Sequence, residues 1–483
     1  MPQDKKILNF IGGELVPPAS GDYFGNEDPS IGQIYSEIPD SDEKDLDAAV
    51  DAAEKAAPVW RNMPAESRAQ VMNNLATLIE KRQEEFAHAE CVDNGKPLSL
   101  CRNIDIPRGS ANLRFFAEAG KEMEGETFRA EKSFSYTLRQ PFGVVATISP
   151  WNLPLLLFTW KLAPALASGN CVIAKPSEVT PMTAYMLSKL VEEAGFPKGV
   201  LNVLHGRGAK IGAAITRHPK IPAISFTGGT VTGKEIYGTG SRLLKKVSLE
   251  LGGKNPTVIF DDAKWDAALK GALASAFTNQ GQICLCGSRI LVQNTVYEKF
   301  RDEFVALARG YTVGDPLEEA TTQGAVVSKP HMEKILGYID LAQKEGGKIL
   351  CGGRRLFLKG RCKTGYFIEP TVIEGLPANC RTNQEEIFGP VVTLLPFADE
   401  DEAVALANST PYGLAASIWT ESKERARTVA ARIDSGIVWV NCWNLRDLRT
   451  PFGGMKNSGV GREGGLRALE FFTEEKTVCQ PAA

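Results

Sequence analysis

Short apolar runs alternate with amphipathic stretches from about residue 143 onward. Four of these runs predict buried strands: Val144–Ile148, Cys171–Ala174, Leu201–Leu204 and Ala223–Phe226. The helical patterns between and after them lie near residues 156–168, 180–194, 208–217 and 231–238. This alternation predicts right-handed βαβ units and a parallel sheet covered on both faces. Ligands of such a sheet bind at the carboxyl ends of its strands.

The first hundred residues have a different texture. Residues 1–40 predict short strands and turns, and an apolar stripe at helical spacing then predicts a helix over about Asp42–Trp60. Asp40 and Glu43 have the spacing of a capping box at its start. A second helix is predicted from about Pro64 to Asp93, where Asn94-Gly95 ends it.

A second α/β region is predicted after Gly252-Gly253. Its apolar runs Thr257–Phe260 and Val391–Leu395 are typical of strands, and Tyr297–Ala308 has a helical pattern. The sequence therefore predicts an α/β protein with more than one packed lobe, as its length of 483 residues also indicates.

Composition excludes several classes of function. With 43% hydrophobic and 23% charged residues and a net charge of −3, the chain lacks the basic surface that nucleic acid requires. Its longest apolar stretch, near Leu153–Phe158, is too short to span a bilayer, and its start lacks an apolar signal core. We expect a cytoplasmic protein without membrane or nucleic-acid partners. The ten cysteines and four histidines lack metal-ligand spacing, so no metal site is expected.

Cys284 is the candidate nucleophile. It follows Gly281-Gln282-Ile283, a pattern that indicates a loop or the start of a helix, where N–H groups stabilise a thiolate. The alternative is a packed, inert thiol. Because histidines are scarce, a carboxylate is the more suitable base.

Two further side chains have the chemistry that such a nucleophile needs. Glu250 lies between Leu249 and Leu251 at the end of a predicted strand, where apolar company raises the pKa of a carboxyl as a general base requires. It could instead face water. Asn152, held in Ser149-Pro150-Trp151-Asn152-Leu153-Pro154, could donate its amide to an oxyanion, or it could be a structural turn residue.

Two turns at strand ends suit a dinucleotide. Thr227-Gly228-Gly229 follows a strand and opens a helix, which lets phosphate approach backbone N–H groups, although the spacing to Gly233 is not that of the common fingerprint. In Lys175-Pro176-Ser177-Glu178, the carboxylate can accept both ribose hydroxyls and would repel a 2′-phosphate. A plain turn and a solvated loop pair are the respective alternatives.

Over essentially its full length the chain resembles the aldehyde dehydrogenase superfamily. The matching segments are Pro150-Trp151-Asn152, Lys175-Pro176-Ser177-Glu178, Phe226-Thr227-Gly228, Glu250-Leu251-Gly252-Gly253-Lys254, Gly281-Gln282-Ile283-Cys284, Glu386-Ile387-Phe388-Gly389-Pro390 and Pro451-Phe452-Gly453-Gly454-Met455-Lys456. Gly229 departs from the family, which usually has serine there. The resemblance implies a Rossmann-type parallel sheet domain, an α/β catalytic domain and a small β bridging element.

The resemblance also implies the roles of individual residues. Cys284 would attack an aldehyde, Asn152 would hold the oxyanion, and Glu250 would activate the water that hydrolyses the thioester. The implied NAD site comprises Ser149, Pro150, Trp151, Lys175, Ser177, Glu178, Gly208, Thr227, Gly228, Gly229, Leu251, Glu386 and Phe388. Glu178 favours NAD over NADP, and Glu463 matches a position sometimes involved in proton relay.

Two arginines narrow the class of aldehyde that is expected as the substrate. Arg108 occupies the family's substrate-tunnel position, where most members have an apolar residue, and Arg446 lies on the loop before Pro451 that borders the same tunnel. Two guanidiniums facing one pocket would be costly unless an anion joins them, so they predict a carboxylate clamp. The pattern resembles the 2-aminomuconate and 2-hydroxymuconate semialdehyde dehydrogenases of aromatic-compound catabolism.

Other functions stay open from the sequence. Either arginine could be a surface or interface ion-pair partner. A broader aldehyde dehydrogenase acting on betaine or aliphatic aldehydes is the alternative enzyme, a coenzyme A-acylating member fits Glu250 less well, and a non-catalytic structural relative would not need Cys284, Glu250 and Asn152.

The resemblance implies three parts. Residues 1–118 and 142–252 would form the dinucleotide-binding domain, and residues 253–455 the catalytic domain. Residues 119–141 and 456–483 would bridge to a partner subunit. Lys132–Leu138 alternates as an exposed strand does, which fits a homodimer or homotetramer.

Overall fold

The computed structural model describes residues 5–123 and 125–482. Residues 1–4, Glu124 and Ala483, which belong to the predicted N-terminal and bridging segments, lie outside the described residues. The larger sheet has eight strands, in the spatial order Glu14–Val16, Asn9–Ile11, Leu201–Val203, Cys171–Lys175, Val144–Ile148, Ala223–Thr227, Lys246–Glu250 and Gly459–Val460. Its five central strands are parallel, as the sequence predicts.

Helices cover both faces of this sheet, which is why most residues of its central strands are buried. Val144–Ile148 and Cys171–Lys175 are buried at every position. The helices and helical turns of this half are Glu43–Asn62, Ala65–Lys81, Gln83–Asn94, Leu98–Leu100, Cys101–Asp105, Ile106–Ala119, Gly120–Glu122, Pro154–Ala167, Met182–Ser188, Val191–Ala194, Gly208–Gly212, Ala213–Arg217, Thr230–Arg242 and Gly465–Phe471.

Two local predictions about the helices are wrong. The helix predicted from Pro64 to Asp93 is two helices that meet at Arg82, whose backbone leaves the helical region. No glycine or proline marks that break. The first helix is capped by Asp42, which forms a capping box with Asp45, so the predicted Asp40 and Glu43 pair is displaced by two residues.

The second sheet has seven strands. Their spatial order is Lys348–Cys351, Thr371–Glu374, Val391–Phe397, Arg289–Gln293, Pro256–Ile259, Ala415–Trp419 and Ile437–Val440. All pairs except the first are parallel. The helices and helical turns of this half are Trp265–Phe277, Thr278–Gly281, Asn294–Val296, Tyr297–Arg309, Lys329–Lys344, Gly360–Cys362, Arg381–Gln384, Glu400–Asn408 and Lys423–Arg432.

Smaller sheets complete the molecule. A three-stranded antiparallel sheet is formed by Thr473–Pro481, Ser133–Pro141 and Thr127–Arg129. Two-stranded ribbons pair Tyr23–Asp28 with Gln33–Pro39, Arg355–Leu356 with Phe367–Ile368, and Tyr412–Gly413 with Met455–Lys456. Within residues 456–483, which are predicted to belong to the bridging element, Gly459–Val460 pairs with the strand Lys246–Glu250 of the larger sheet. Among the described residues, no helix has the length and apolar character needed to cross a membrane.

Candidate active site

Cys284 lies in a turn that follows the short helical segment Thr278–Gly281. Asn279 and Gln280 have left-handed φ values of 54° and 58°, which turn the chain sharply before the cysteine. The Asn255 side-chain amide fixes the cysteine loop, because its Nδ2 donates to the Cys284 carbonyl at 2.7 Å and to the Cys286 carbonyl at 2.9 Å. The loop prediction is therefore confirmed.

No helix begins at Cys284, so the expected stabilisation of a thiolate by a helix N-terminus is wrong. Burial raises the pKa of the thiol, and the carboxylates of Glu386 and Glu250 raise it further. The guanidinium of Arg446 acts in the opposite direction. Ionisation of Cys284 therefore depends on nearby positive charge and not on a helix dipole.

Glu250 is the last residue of the strand Lys246–Glu250 and is buried. Neither carboxylate oxygen has a hydrogen-bond partner among the described residues. Burial, and secondarily the charge of Glu463, raises the pKa of Glu250 well above its usual range. An unpartnered carboxyl with a raised pKa suits a general base that accepts a proton from water.

Asn152 joins the strand-end loop Ser149–Asn152 to the cysteine loop. Its Nδ2 donates to the Gln282 carbonyl at 3.0 Å, and its own carbonyl accepts from Asn279 Nδ2 at 3.0 Å. Since an amide has two N–H donors, one is still available for an oxyanion near Cys284.

Cys284 and Asn152 line one cavity of about 210 Å³, together with Leu251, the residue that follows Glu250. Its walls are formed by Pro150, Trp151, Asn152, Thr227, Gly228, Gly229, Leu251, Gly252, Cys284, His331, Lys334, Glu386 and Phe388. The fold thus brings together the candidate nucleophile, the candidate oxyanion donor and eight residues of the implied NAD site.

His331 and Lys334 are wall residues that the sequence analysis missed. Both lie on the helix Lys329–Lys344, and they hold main-chain carbonyls of the segment opposite. His331 Nε2 lies 2.7 Å from the Phe388 carbonyl, and Lys334 Nζ donates to the Glu386 carbonyl at 3.1 Å. Their only sequence signal is a spacing of one helical turn.

A second cavity of about 610 Å³ lies at the ends of neighbouring strands and is lined by Glu178, Gly208 and Phe226 among others. Glu178 accepts from Lys175 Nζ at 3.0 Å and from the Gly208 N–H at 2.8 Å. Burial alone would raise the pKa of Glu178, but these two contacts lower it. The carboxylate is therefore ionised and fixed at the cavity wall.

Two of the remaining predicted cofactor residues are the serines Ser149 and Ser177. Ser149 is buried, its N–H donates to the Lys175 carbonyl at 3.0 Å, and its hydroxyl has no partner among the described residues. Ser177 is also buried, and its hydroxyl accepts from the Val179 N–H at 3.2 Å. Ser177 therefore shapes the turn that presents Glu178.

Arg108 and Arg446 approach one aromatic ring. Their guanidinium carbons lie 6.0 Å and 5.8 Å from the centroid of Trp160. Arg446 also lies 4.0 Å from the Phe452 ring. Neither arginine forms an ion pair within the part of the chain that the structure describes; Arg108 Nε donates only to Asn112 Oδ1, at 3.2 Å.

The two guanidiniums affect each other. Burial, followed by the charge of Arg108, lowers the pKa of Arg446 to about 10. The charges of Cys284 and Glu250 act on the pKa of Arg446 in the other direction. Two half-buried cations without a carboxylate partner among the described residues have the chemistry to bind an anion.

Glu463 lies behind Glu250 in a buried polar group. Its Oε1 accepts from Lys161 Nζ at 2.6 Å and from Ser225 Oγ at 2.9 Å.

Trp443, which the sequence analysis did not assign, donates its indole N–H to the Leu285 carbonyl at 3.0 Å. The loop that carries Arg446 is thereby tied to the nucleophile loop.

The site combines a thiol, a carboxyl without a partner among the described residues and an available amide donor, next to a sheet edge lined by glycines. This combination is typical of enzymes that form covalent acyl intermediates beside a dinucleotide. Comparison with known proteins identifies that class: the sequence profile of the aldehyde dehydrogenase family matches residues 16–478. The chain belongs to the aldehyde dehydrogenase family.

Several relatives are named for particular substrates. The chain is 46% identical over 476 residues to the 2-aminomuconic semialdehyde dehydrogenase of Mus musculus, covering 98% of this chain and 97% of the relative. It is 44% identical over 482 residues to the 2-hydroxymuconic semialdehyde dehydrogenase of Pseudomonas sp. (strain CF600), covering 98% and 99%.

Solved structures share the whole fold. The NAD+ complex of an aldehyde dehydrogenase from Bacillus cereus has a TM-score of 0.96 at 40% identity, covering 99% of this chain and 97% of that one. PnpE in complex with nicotinamide adenine dinucleotide has a TM-score of 0.96 at 39% identity, covering 98% and 97%. The predicted α/β fold class is confirmed.

Proposed function

We propose that this enzyme oxidises a carboxylated semialdehyde, of the 2-aminomuconate or 2-hydroxymuconate 6-semialdehyde type, to the acid with NAD, in the catabolism of aromatic compounds. The observation that carries this proposal is that the guanidiniums of Arg108 and Arg446 both approach Trp160 and have no acidic partner among the described residues. A carboxylate remote from the aldehyde supplies the anion that this pair lacks. The names of the relatives support the same substrate class.

Cys284 carries the covalent chemistry. Its thiolate attacks the aldehyde carbon and forms a tetrahedral oxyanion. The free N–H of the Asn152 amide and the Cys284 main-chain N–H donate to that oxyanion. NAD, when bound, supplies the acceptor for the hydride that leaves the same carbon.

Glu250 completes the turnover. Once the acyl group is held on Cys284 as a thioester, the unpartnered Glu250 carboxylate takes a proton from water, and the water oxygen attacks the thioester. Cys284 leaves as the thiolate and the acid is released. The raised pKa of Glu250 fits this role, because a base works best when its pKa is close to the working pH.

The strand ends suit a dinucleotide. At Gly228 an added Cβ would lie 2.4 Å from the Phe226 ring, so a side chain does not fit there. At Gly229 none of the atoms compared lies within 4 Å of an added Cβ, so the backbone at this position is open to a phosphate. The buried Thr227 hydroxyl has no partner among the described residues. Glu178, fixed by Lys175 and Gly208, would accept ribose hydroxyls and repel a 2′-phosphate, which favours NAD over NADP.

We also propose that the chain forms a homodimer or homotetramer. Large apolar side chains are exposed on the helix Thr230–Arg242 and just beyond it, where Val231 is 75% and Leu244 93% exposed. Among the described residues, the outer strands of the three-stranded sheet pair on one side only, and Phe128 on one of them is exposed. Light scattering tests the assembly. The division into two domains and a bridging element stays a prediction, and so does the cytoplasmic location, which cell fractionation tests.

A panel of aldehydes ranked by kcat/KM tests the substrate. We expect kcat/KM to be about 10²-fold higher for carboxylated semialdehydes than for uncharged aldehydes of the same length. This ratio corresponds to about 3 kcal/mol, the contribution expected from two charge-assisted hydrogen bonds. Equal kcat/KM values across the panel would favour the broader aldehyde dehydrogenase, and absence of NADH formation with every aldehyde would favour a non-catalytic relative.

A further inference from the structure

Lys96 is a fully buried lysine between the two functional parts of the active site. Its ammonium donates to Asp105 Oδ2 at 2.6 Å and to the main-chain carbonyl of Asn152 at 2.9 Å. Glu90 Oε1 lies 3.6 Å away. Burying such a charge is costly unless these contacts are maintained.

The Asp105 contact leads to the predicted substrate arginine. Asp105 ends the π-helical turn Cys101–Asp105, and the helix Ile106–Ala119, with Arg108 as its third residue, continues directly from it. Irregular π-helical turns inside longer helices often occur at functional sites. Asp105 therefore fixes the end of the helix from which Arg108 projects.

The Asn152 contact leads to the oxyanion donor. The Asn152 carbonyl accepts from both Lys96 and Asn279, while Asn279 and the Asn152 side chain both donate to the Gln282 carbonyl, two residues before Cys284. The second carboxylate of the cluster is tied in as well, because Glu90 Oε2 accepts from the Leu155 N–H at 3.0 Å.

The cluster is an ion-pair joint and not a metal site. Ligand atoms of Glu90, Cys101 and Asp105 lie within 4.8 Å of one another, close enough to hold a cation. The Lys96 ammonium is already in contact with both carboxylates. It supplies the positive charge that the acids require.

We infer that Lys96 is a positioning residue that holds the oxyanion-donating Asn152 in register with the helix that carries Arg108. Its ammonium fixes the distance between the point where the substrate tail binds and the point where the aldehyde oxygen becomes charged. The Asn152 half of this inference concerns every aldehyde, and the Arg108 half rests on the proposed carboxylated substrate.

Lys96→Met tests the Asn152 half. Methionine keeps an unbranched side chain of similar length but removes the donor to the Asn152 carbonyl. We expect kcat per NAD-binding site to fall about 10²-fold with an uncharged aldehyde, the usual cost of misplacing an oxyanion donor. We also expect the Kd for NAD to change by less than about two-fold. A purely structural role would lower the number of NAD-binding sites and the Tm, but not kcat per site.

Two further variants keep the inference falsifiable. If Lys96→Met does not fold because it leaves Asp105 unpaired, Lys96→Met/Asp105→Asn removes both charges together and must show the same loss of kcat. Asp105→Asn alone keeps a donor on the Asn152 carbonyl; we expect kcat/KM to fall about 10-fold for a carboxylated semialdehyde and less than about two-fold for an uncharged one.

The outcomes separate this inference from the proposed substrate. A folded Lys96→Met or double variant whose kcat per site matches that of the unmodified enzyme overturns the role of Lys96. An Asp105→Asn variant that loses both substrates equally overturns the link to Arg108. If the unmodified enzyme itself does not prefer carboxylated aldehydes, the substrate proposal fails, whereas the effect of Lys96→Met on the uncharged aldehyde still decides the role of Lys96.

Discussion

Arg108→Ala is the sharpest perturbation of substrate recognition. The Arg108 guanidinium has no acidic partner among the described residues and is close to Arg446 over the Trp160 ring. Its removal should therefore leave no buried carboxylate unpaired, and it relieves repulsion between two cations. The buried Asn112 Oδ1 loses its donor, which opposes this relief, so we expect only a small change in Tm.

The effect on catalysis follows from the lost contact. A hydrogen bond to a charged group contributes about 1.5–3 kcal/mol, and each 1.4 kcal/mol corresponds to about 10-fold. We expect kcat/KM for a carboxylated semialdehyde to fall about 10- to 100-fold, mainly through KM, because the tail is bound equally in the ground state and the transition state. An uncharged aldehyde of the same length should change by less than about two-fold.

The assay is NADH absorbance at saturating NAD with both aldehydes. Arg108→Lys keeps the charge but not the planar fork, so it should recover only part of the loss. The matched control is Arg467→Ala, which removes an exposed arginine that is distant from Arg108 in the sequence and should leave both activities unchanged. An equal fall with both aldehydes, or no fall with either, would refute the carboxylate clamp.

Three further predictions concern the chemistry and the cofactor. Glu250→Gln should leave a burst of NADH but slow steady-state turnover about 10²- to 10⁴-fold, since only thioester hydrolysis needs the base; unchanged turnover would remove Glu250 from that role. Because burial raises the pKa of Glu250, steady-state turnover should fall as the pH drops through a pKa above the ordinary carboxyl range, and this limb should disappear from the pH profile of Glu250→Gln. Glu178→Gln should raise the KM for NAD and lower that for NADP, because it removes the negative charge that repels a 2′-phosphate; an unchanged ratio of the two KM values would contradict the assignment.

Most central strands of the larger sheet could be predicted from sequence because burial on both faces makes their residues largely apolar. Val144–Ile148 and Ala223–Thr227 lie within one residue of their predicted limits. The helix break at Arg82 could not be predicted, since Lys81-Arg82-Gln83 contains no residue that disfavours a helix. Tertiary packing decides that break.

The reacting side chains could be proposed from local pattern and family resemblance, but their supports could not. Cys284 and Glu250 have apolar or glycine-rich neighbours in the sequence that indicate their chemistry. Lys96, Asn255 and Trp443 act through main-chain carbonyls 29 to 158 residues away along the chain. Such contacts depend on the completed fold, and no spacing in the sequence records them.

The covalent intermediate gives the most direct test of the account. Glu250→Gln, mixed with NAD and a carboxylated semialdehyde and quenched in acid, should yield an acyl adduct on the peptide that contains Cys284, detected by mass spectrometry. Cys284→Ala provides the matched control and should yield neither adduct nor NADH. An NADH burst without any adduct, or an adduct on one of the other cysteines, would contradict the assignment of Cys284 as the nucleophile.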